Sequence, residues 1–180
     1  MERMLAVLPD SAAIIATTGF TGRELFTLED REQHLYQVGS MGCAAPMGLG
    51  VALNTDKRVV VIDGDGAAMM KLGALATVGA YAPNNLLHIV MDNAAYESTG
   101  GQPTVSASVD FAGVAAACGY KEAFTCDSLN GLEKIISETV SRPGPHLVHM
   151  VIKAGHPDTL GRPTIKPPEV ARRFKDFITS

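Results

Sequence analysis

The sequence predicts an α/β fold, a parallel sheet with helices on both faces, and three observations carry that expectation. Apolar runs such as Arg58 to Ile62 (RVVVI) and Leu86 to Met91 (LLHIVM) are continuous rather than alternating, the pattern of strands covered on both sides. Segments with helical spacing stand between such runs, so strand and helix alternate along the chain. Glycines fall directly at strand ends, at Gly19 and at Gly64 and Gly66, where a strand in such a fold hands over to a helix.

Taken in order, Ala12 to Ala16 reads as a buried strand closed by Thr17-Thr18-Gly19, with a short helix expected from Arg23 to Leu28. Met41 to Leu53 is rich in Gly and Ala with almost no polar face, as expected of a buried helix pressed against other backbone. After the RVVVI strand, helical spacing runs from Ala67 to Tyr81 and breaks at Ala82-Pro83-Asn84-Asn85; the LLHIVM strand follows and ends at Asp92-Asn93. His88, inside that strand, reads as a core histidine. A polar segment from Ala94 to Val109 precedes a helix at Asp110 to Cys118, a strand at Lys121 to Phe124, a helix at Asn130 to Val140 and a strand at Pro145 to Ile152. Four prolines mark the tail, which ends in an amphipathic helix from Glu169 to Ile178.

The 180 residues match the size of one domain and contain no long polar linker, so residues 1–180 are expected to form a single unit, with 155–180 a C-terminal arm and helix. A hydrophobic fraction of 46% with 19% charged residues excludes disorder. The net charge of -4, with acids and bases interspersed, offers no basic stripe, so no nucleic-acid partner is expected. No apolar run approaches the roughly 18 residues of a membrane span. Cys43, Cys118 and Cys126 form no CxxC pair and read as small core residues, which with the lack of a leader points to the cytoplasm.

Chemistry concentrates at two strand ends. Gly64-Asp65-Gly66 lets the backbone turn tightly while the N–H groups of the next helix face an incoming anion, so a phosphate is the expected guest. Asp65 would repel a bare phosphate, which places a divalent cation between them. Asp65 and Asn93 supply side-chain oxygens, and a backbone carbonyl just after Asn93, two phosphate oxygens and a water would complete six-coordinate Mg²⁺. A dinucleotide fingerprint is disfavoured, because GDGAAM lacks the third glycine, and no GxxxxGK[ST] occurs.

GDG, then 25 residues, then Asp92-Asn93 is similar to the thiamine-diphosphate signature, with Asp92 standing where the first Asn is usual. Thr17-Thr18-Gly19 followed by Arg23-Glu24-Leu25, the Gly39-Ser40-Met41-Gly42 segment, VVVIDGDGAAMMKLGALATVGAYAP, the MDN strand end, Ser98-Thr99-Gly100-Gly101-Gln102 and RPTIKPPEVARRF from Arg162 resemble the carboxyl-terminal, diphosphate-binding (PP) half of the phosphonopyruvate decarboxylase family. The sulfopyruvate decarboxylase beta subunit is the rival resemblance. Either one implies thiamine diphosphate and Mg²⁺ as cofactors and a small anionic 2-oxoacid as substrate. The metal would lie on Asp65, Asn93 and the carbonyl of Ala95, and Gly64, Gly66 and Ala67 would cradle the diphosphate. Gly39 would accept from the aminopyrimidine, and Met41 would prop the bent cofactor. Thr18, Gly19, Ser40 and Tyr96 complete the implied cofactor contacts, and Arg23, Ser98, Thr99 and Gln102 are candidates for substrate; His156, beside Pro157, is a further one for facing the site.

The family's activating glutamate belongs to a separate pyrimidine-binding (PYR) domain that nothing in this sequence resembles. The resemblance therefore implies a partner PYR domain or subunit, a homo- or hetero-oligomer, and an active site at an interface. A non-catalytic cofactor-binding module is the alternative, against which Asp65 and Asn93 stand together.

Overall fold

The computed structural model describes all residues, 1–180, and its centre is a six-stranded, wholly parallel sheet. The chain runs α1 (Glu2–Leu5), β1 (Ala13–Ala16), α2 (Phe20–Leu28), β2 (His34–Tyr36), α3 (Ala44–Ala52), β3 (Val59–Gly64), α4 (Asp65–Met70), α5 (Ala74–Tyr81) and β4 (Leu86–Asp92). A two-stranded ribbon follows, β5 (Ala95–Tyr96) and β6 (Gln102–Pro103), then α6 (Phe111–Ala117), β7 (Glu122–Cys126), α7 (Leu129–Thr139), β8 (His146–Val151) and α8 (Pro167–Thr179). The strand order is β2-β1-β3-β4-β8-β7.

The continuous apolar runs behave as their pattern predicts. In β3, Val59 and Val61 enter one core with Leu49, Leu75, Val78 and Phe111, while Val60 and Ile62 enter the opposite core with Leu25, Leu132 and Ile136. Helices α3, α5 and α6 cover the first face and α2 and α7 the second, so every central strand is dry on both sides. The short helix α1 adds Met4 to the second core. Helix α8 closes the β2 edge, inserting Val170 into one core and Phe174 into the other. No helix is long and apolar enough to cross a membrane.

Topology positions the site. From β1 the chain moves outward through α2 to β2 on one side, then returns through α3 on the other face to β3, which pairs with the opposite edge of β1. The carboxyl ends of β1 and β3 therefore flank a switch point, where loops leave in opposite directions and open a crevice.

Several elements differ from their sequence-based bounds. Helix α2 begins at Phe20, because Gly19 turns the chain at φ 100. The helix expected from Ala67 to Tyr81 starts at Asp65 and is split, with Lys71 leaving helical geometry at φ -133 and ψ 42. The break allows α5 to take its own path against α6, close enough that Gly79 abuts the Cys118 carbonyl. Edge strand β2, helix α1 and the β5–β6 ribbon have no counterpart in the sequence expectations; the polar segment from Ala94 folds back on itself, Ala95 pairing with Pro103 and Tyr96 with Gln102. His88 is buried in β4, its Nδ1 3.4 Å from the Tyr120 hydroxyl.

Candidate cofactor and metal site

Three strand ends meet at the crevice. From β3, Gly64 leads into Asp65, the first residue of α4, so the free N–H groups of that helix open directly onto the cavity. The Gly66 Cα faces the ring of Tyr96, and a Cβ built there would lie 2.2 Å from Tyr96 Cε1. Glycine at this position is a requirement of close approach, not of backbone angle.

The Asp65 carboxylate is buried, and its Oδ2 accepts from the Thr104 hydroxyl at 2.5 Å. Burial raises its pKa above the ordinary carboxylate value; the Thr104 bond opposes this and the nearby Asp92 carboxylate adds to it. A buried anion with no lysine or arginine at the cavity is the situation a cation relieves.

At the end of β4 two successive side chains fold back on the backbone. Asp92 Oδ1 accepts from the Ala94 N–H at 2.9 Å and Asn93 Oδ1 from the Ala95 N–H at 3.1 Å. These bonds hold Ala94 in the left-handed region at φ 56, a strained conformation for a residue with a Cβ. Glu97 Oε2 receives the Asn93 Nδ2–H at 2.8 Å, which orients the amide with its oxygen away from Glu97. Asn93 Oδ1 thus keeps a lone pair for a hard cation. Cations of this kind take mixed carboxylate, amide and carbonyl oxygens, so the donors present fit a magnesium-sized ion without a cluster of acids.

A cavity of about 110 Å³ joins these ends. Of the residues singled out from sequence, Gly64, Asp65, Gly66, Ala67 and Asn93 line it, as do Ala95 and Tyr96. A second cavity of about 660 Å³ holds Gly19, Gly39, Ser40 and Thr99, and the two share Thr18, Met41 and Ser98. The Gly39–Ser40 turn has positive φ at both residues, 67 and 47, and is tied down by the buried Gln37, whose Nε2 donates to the Ser40 carbonyl at 2.7 Å.

Two substrate candidates are engaged by the chain itself. Gln102 lies outside both cavities, and its Nε2 donates to the Thr99 carbonyl at 3.1 Å. Arg23 edges the second cavity, but its guanidinium donates to the carbonyls of Gly161, at 3.0 Å, and Leu160, which pins the C-terminal arm to α2. That arm brings His156 to the first cavity, its ring 4.2 Å from the Phe20 ring.

Sequence reasoning missed Gln37, Glu97, Thr104, Ser106 and His149. The last three are assembled by the fold from distant segments, and no local spacing announces them.

A parallel α/β sheet that gathers a glycine turn, a helix N-terminus and hard oxygens at a switch point defines a phosphate-ligand-binding domain. Residues 16–150 match the family described as thiamine pyrophosphate enzyme, C-terminal TPP binding domain, and the chain belongs to that family. Among curated relatives, the phosphonopyruvate decarboxylase of Streptomyces viridochromogenes is 55% identical over all 180 residues, which make up 45% of that protein. The sulfopyruvate decarboxylase subunit beta of Methanothermobacter thermautotrophicus is 39% identical over 88% of this chain and 82% of its own length. The chain therefore spans about half the length of the phosphonopyruvate decarboxylase it matches and most of the sulfopyruvate decarboxylase subunit. Benzoylformate decarboxylase from Polynucleobacter necessarius shares the fold, with a TM-score of 0.70 at 17% identity, over 84% of this chain and 32% of that one.

Proposed function

We propose that this chain is the diphosphate-binding half of a cytoplasmic, thiamine-diphosphate- and Mg²⁺-dependent decarboxylase of 2-oxoacids, acting on phosphonopyruvate. The observation that carries the reading is the buried Asp65 carboxylate, set in the glycine turn at the end of β3 and facing Asn93 across one cavity. The likeness to phosphonopyruvate decarboxylase, 55% against 39% for the sulfopyruvate subunit, favours the phosphonate substrate.

The reaction breaks the C1–C2 bond of phosphonopyruvate as CO₂ leaves, and the electron pair left on C2 takes up a proton to give phosphonoacetaldehyde. Thiamine diphosphate, when bound, supplies the electron sink for that pair. The chain's own residues do the holding. The N–H groups at the start of α4 meet diphosphate oxygens, Asp65, Asn93 and the Ala95 carbonyl hold the metal, and Met41 stands between the two cavities as a prop. Tyr96, packed over Gly66, shields the turn from water. Ser98 and Thr99, on the ribbon's turn, are in reach of the substrate side. The activating glutamate and the rest of the cofactor pocket come from a pyrimidine-binding domain, in the same assembly or on a second chain.

The second reading is a sulfopyruvate decarboxylase subunit, favoured by one observation: that relative is matched over 82% of its length. Carbon dioxide release from phosphonopyruvate and from sulfopyruvate, with thiamine diphosphate and Mg²⁺, decides between them. A higher kcat/KM for phosphonopyruvate is expected. Turnover of neither acid by the assembled, cofactor-loaded protein would sink both.

A further inference from the structure

We infer that Thr104, Ser106, Asp92 and His149 form a positioning clamp for the metal ligands Asp65 and Asn93, and that His149 is what allows an aspartate at position 92. The inference rests on the cofactor-site reading above, because the clamp acts on the side chains assigned there to the metal.

The clamp is built from three segments: the end of β4, the loop after β6, and β8. Thr104 donates to Asp65 Oδ2 at 2.5 Å, and Ser106 donates to Asp92 Oδ1 at 2.8 Å. Each hydroxyl has one proton and each carboxylate only accepts, so each hydroxyl serves one carboxylate. The two oxygens lie 3.1 Å apart with the Ser106 N–H directed to Thr104 Oγ1 at 3.3 Å, which locks them side by side. Thr104 is itself anchored, its N–H donating to the Ala94 carbonyl at 2.9 Å. The loop after β6 therefore spans the gap between the end of β3 and the end of β4.

His149 completes the far side. It sits on β8, the strand beside β4, and Nε2 lies 2.9 Å from Asp92 Oδ2; since a carboxylate only accepts, that nitrogen carries the proton. The Phe111 ring stands against the imidazole with centroids 5.1 Å apart and limits its rotation. Both Asp92 oxygens are thus engaged, Oδ2 by His149 and Oδ1 by Ser106 and Ala94 N–H. The second of those Oδ1 bonds fixes the left-handed turn at Ala94, on which the directions of the Asn93 side chain and the Ala95 carbonyl depend.

Asp92 does not line the cavity that Asp65, Asn93 and Ala95 share. It acts through its neighbours: a carboxylate buried here needs a donor on both sides, and His149 on β8 supplies the second. An asparagine keeps the acceptor for Ser106 and the Ala94 N–H but brings no charge, so losing the histidine opposite costs it less than it costs a carboxylate, and the residues at 92 and 149 form one unit.

The test is Mg²⁺ affinity in saturating thiamine diphosphate, read by calorimetry on the full-length protein in its native assembly, with melting temperature measured in the absence of metal. Thr104→Val, which removes the hydroxyl at constant shape, should weaken Mg²⁺ binding at least tenfold, and Thr104→Ser should restore it. His149→Phe should weaken it similarly, and adding Asp92→Asn to His149→Phe should recover most of the loss. Metal-free melting temperatures of the threonine variants should agree within a few degrees. If Thr104→Val fails to fold, Ser106→Ala carries the same expectation. Mg²⁺ affinity within twofold of the parent in Thr104→Val, or no recovery in the double variant, overturns the inference while leaving the site assignment standing. A parent protein that binds thiamine diphosphate without Mg²⁺ overturns the site assignment and the inference with it.

Discussion

Replacing Asp65 by asparagine separates metal binding from folding, because the two demands on this residue oppose each other. The carboxylate is buried, and both its surroundings and Asp92 penalise its charge. An amide of the same shape keeps an acceptor for the Thr104 hydroxyl and removes that charge. The metal-free protein should therefore melt at the same temperature or slightly higher. What the variant loses is ligand stabilisation. At ligand a hundredfold above Kd, binding adds about 2.7 kcal/mol. For 180 residues at about 2.1 cal/mol/K each, the unfolding entropy is about 0.4 kcal/mol/K, so Mg²⁺ with thiamine diphosphate should raise the parent's melting temperature by about 7 °C. The Asp65→Asn variant should show none of that shift. Calorimetric melting of both proteins, with and without the two ligands, measures every term. A variant that keeps the full ligand-induced shift, or one that melts well below the parent without ligand, would refute the reasoning.

Other expected outcomes follow from the same geometry. Gly66→Ala and Gly79→Ala add the same methyl group against different neighbours: the partly exposed Tyr96 ring can swing aside, whereas the Cys118 carbonyl, 1.8 Å from the added Cβ, is backbone. Urea unfolding should find Gly66→Ala about 1 kcal/mol less stable and Gly79→Ala less stable by roughly 3 kcal/mol, with cofactor affinity reduced only in the first. Burial holds His34 down to about 4 from its ordinary 6.5, its Nδ1–H bonded to the Glu29 carbonyl. The unfolded chain binds more protons between those values, so stability is complete above about pH 6.5 and is lost as pH falls toward 4, by roughly 3 kcal/mol. Urea midpoints across that range should show the slope in the parent and a flatter one in His34→Leu. Arg23→Ala should free residues 153–166 for proteolysis while α8 stays docked through Val170, Phe174 and the Arg173–Asp30 pair. A tenfold rise in KM with the arm still protected would instead return Arg23 to the substrate.

What was legible in the sequence was whatever repeats at short range. RVVVI and LLHIVM announce central strands because a strand buried on two faces cannot alternate, and the GDG turn announces itself because few other residues let a helix begin so close to a ligand. Edge strand β2 was not legible: His-Leu-Tyr is three residues long, and it becomes a strand only because β1 offers an open edge and α8 covers it. The break at Lys71 was hidden for the opposite reason, since Met69 to Leu75 continues a good helical pattern and only the packing of α5 interrupts it. The clamp was hidden most completely. Thr104 is 39 residues from Asp65 and His149 is 57 from Asp92, so neither partner lies within any local window.

The charge of the cavity bears on the proposed metal. A diphosphate arriving at α4 meets the helix N-terminus, which favours an anion by about 1 kcal/mol. It also meets Asp65 and Glu97, with no lysine or arginine among the lining residues; Glu24, on the same wall as Met1, is already paired with the Met1 ammonium at 3.4 Å. Oriented amides alone cannot outweigh two nearby carboxylates, of which Asp65 is buried. A site evolved for a bare anion would have replaced Asp65, whose charge costs the metal-free protein stability and which needs Thr104 to hold it in place. A divalent cation reverses the balance: each carboxylate then contributes attraction, and the amide oxygen of Asn93, turned outward by Glu97, gains a purpose that a phosphate could not give it. The weakness of the domain lies at its open side, where Met41 and the Gly39–Ser40 turn face a cavity that this chain alone leaves unfilled. The surface that closes it would bring the activating glutamate, the task assigned above to a pyrimidine-binding domain, and would leave Gly39 to the aminopyrimidine.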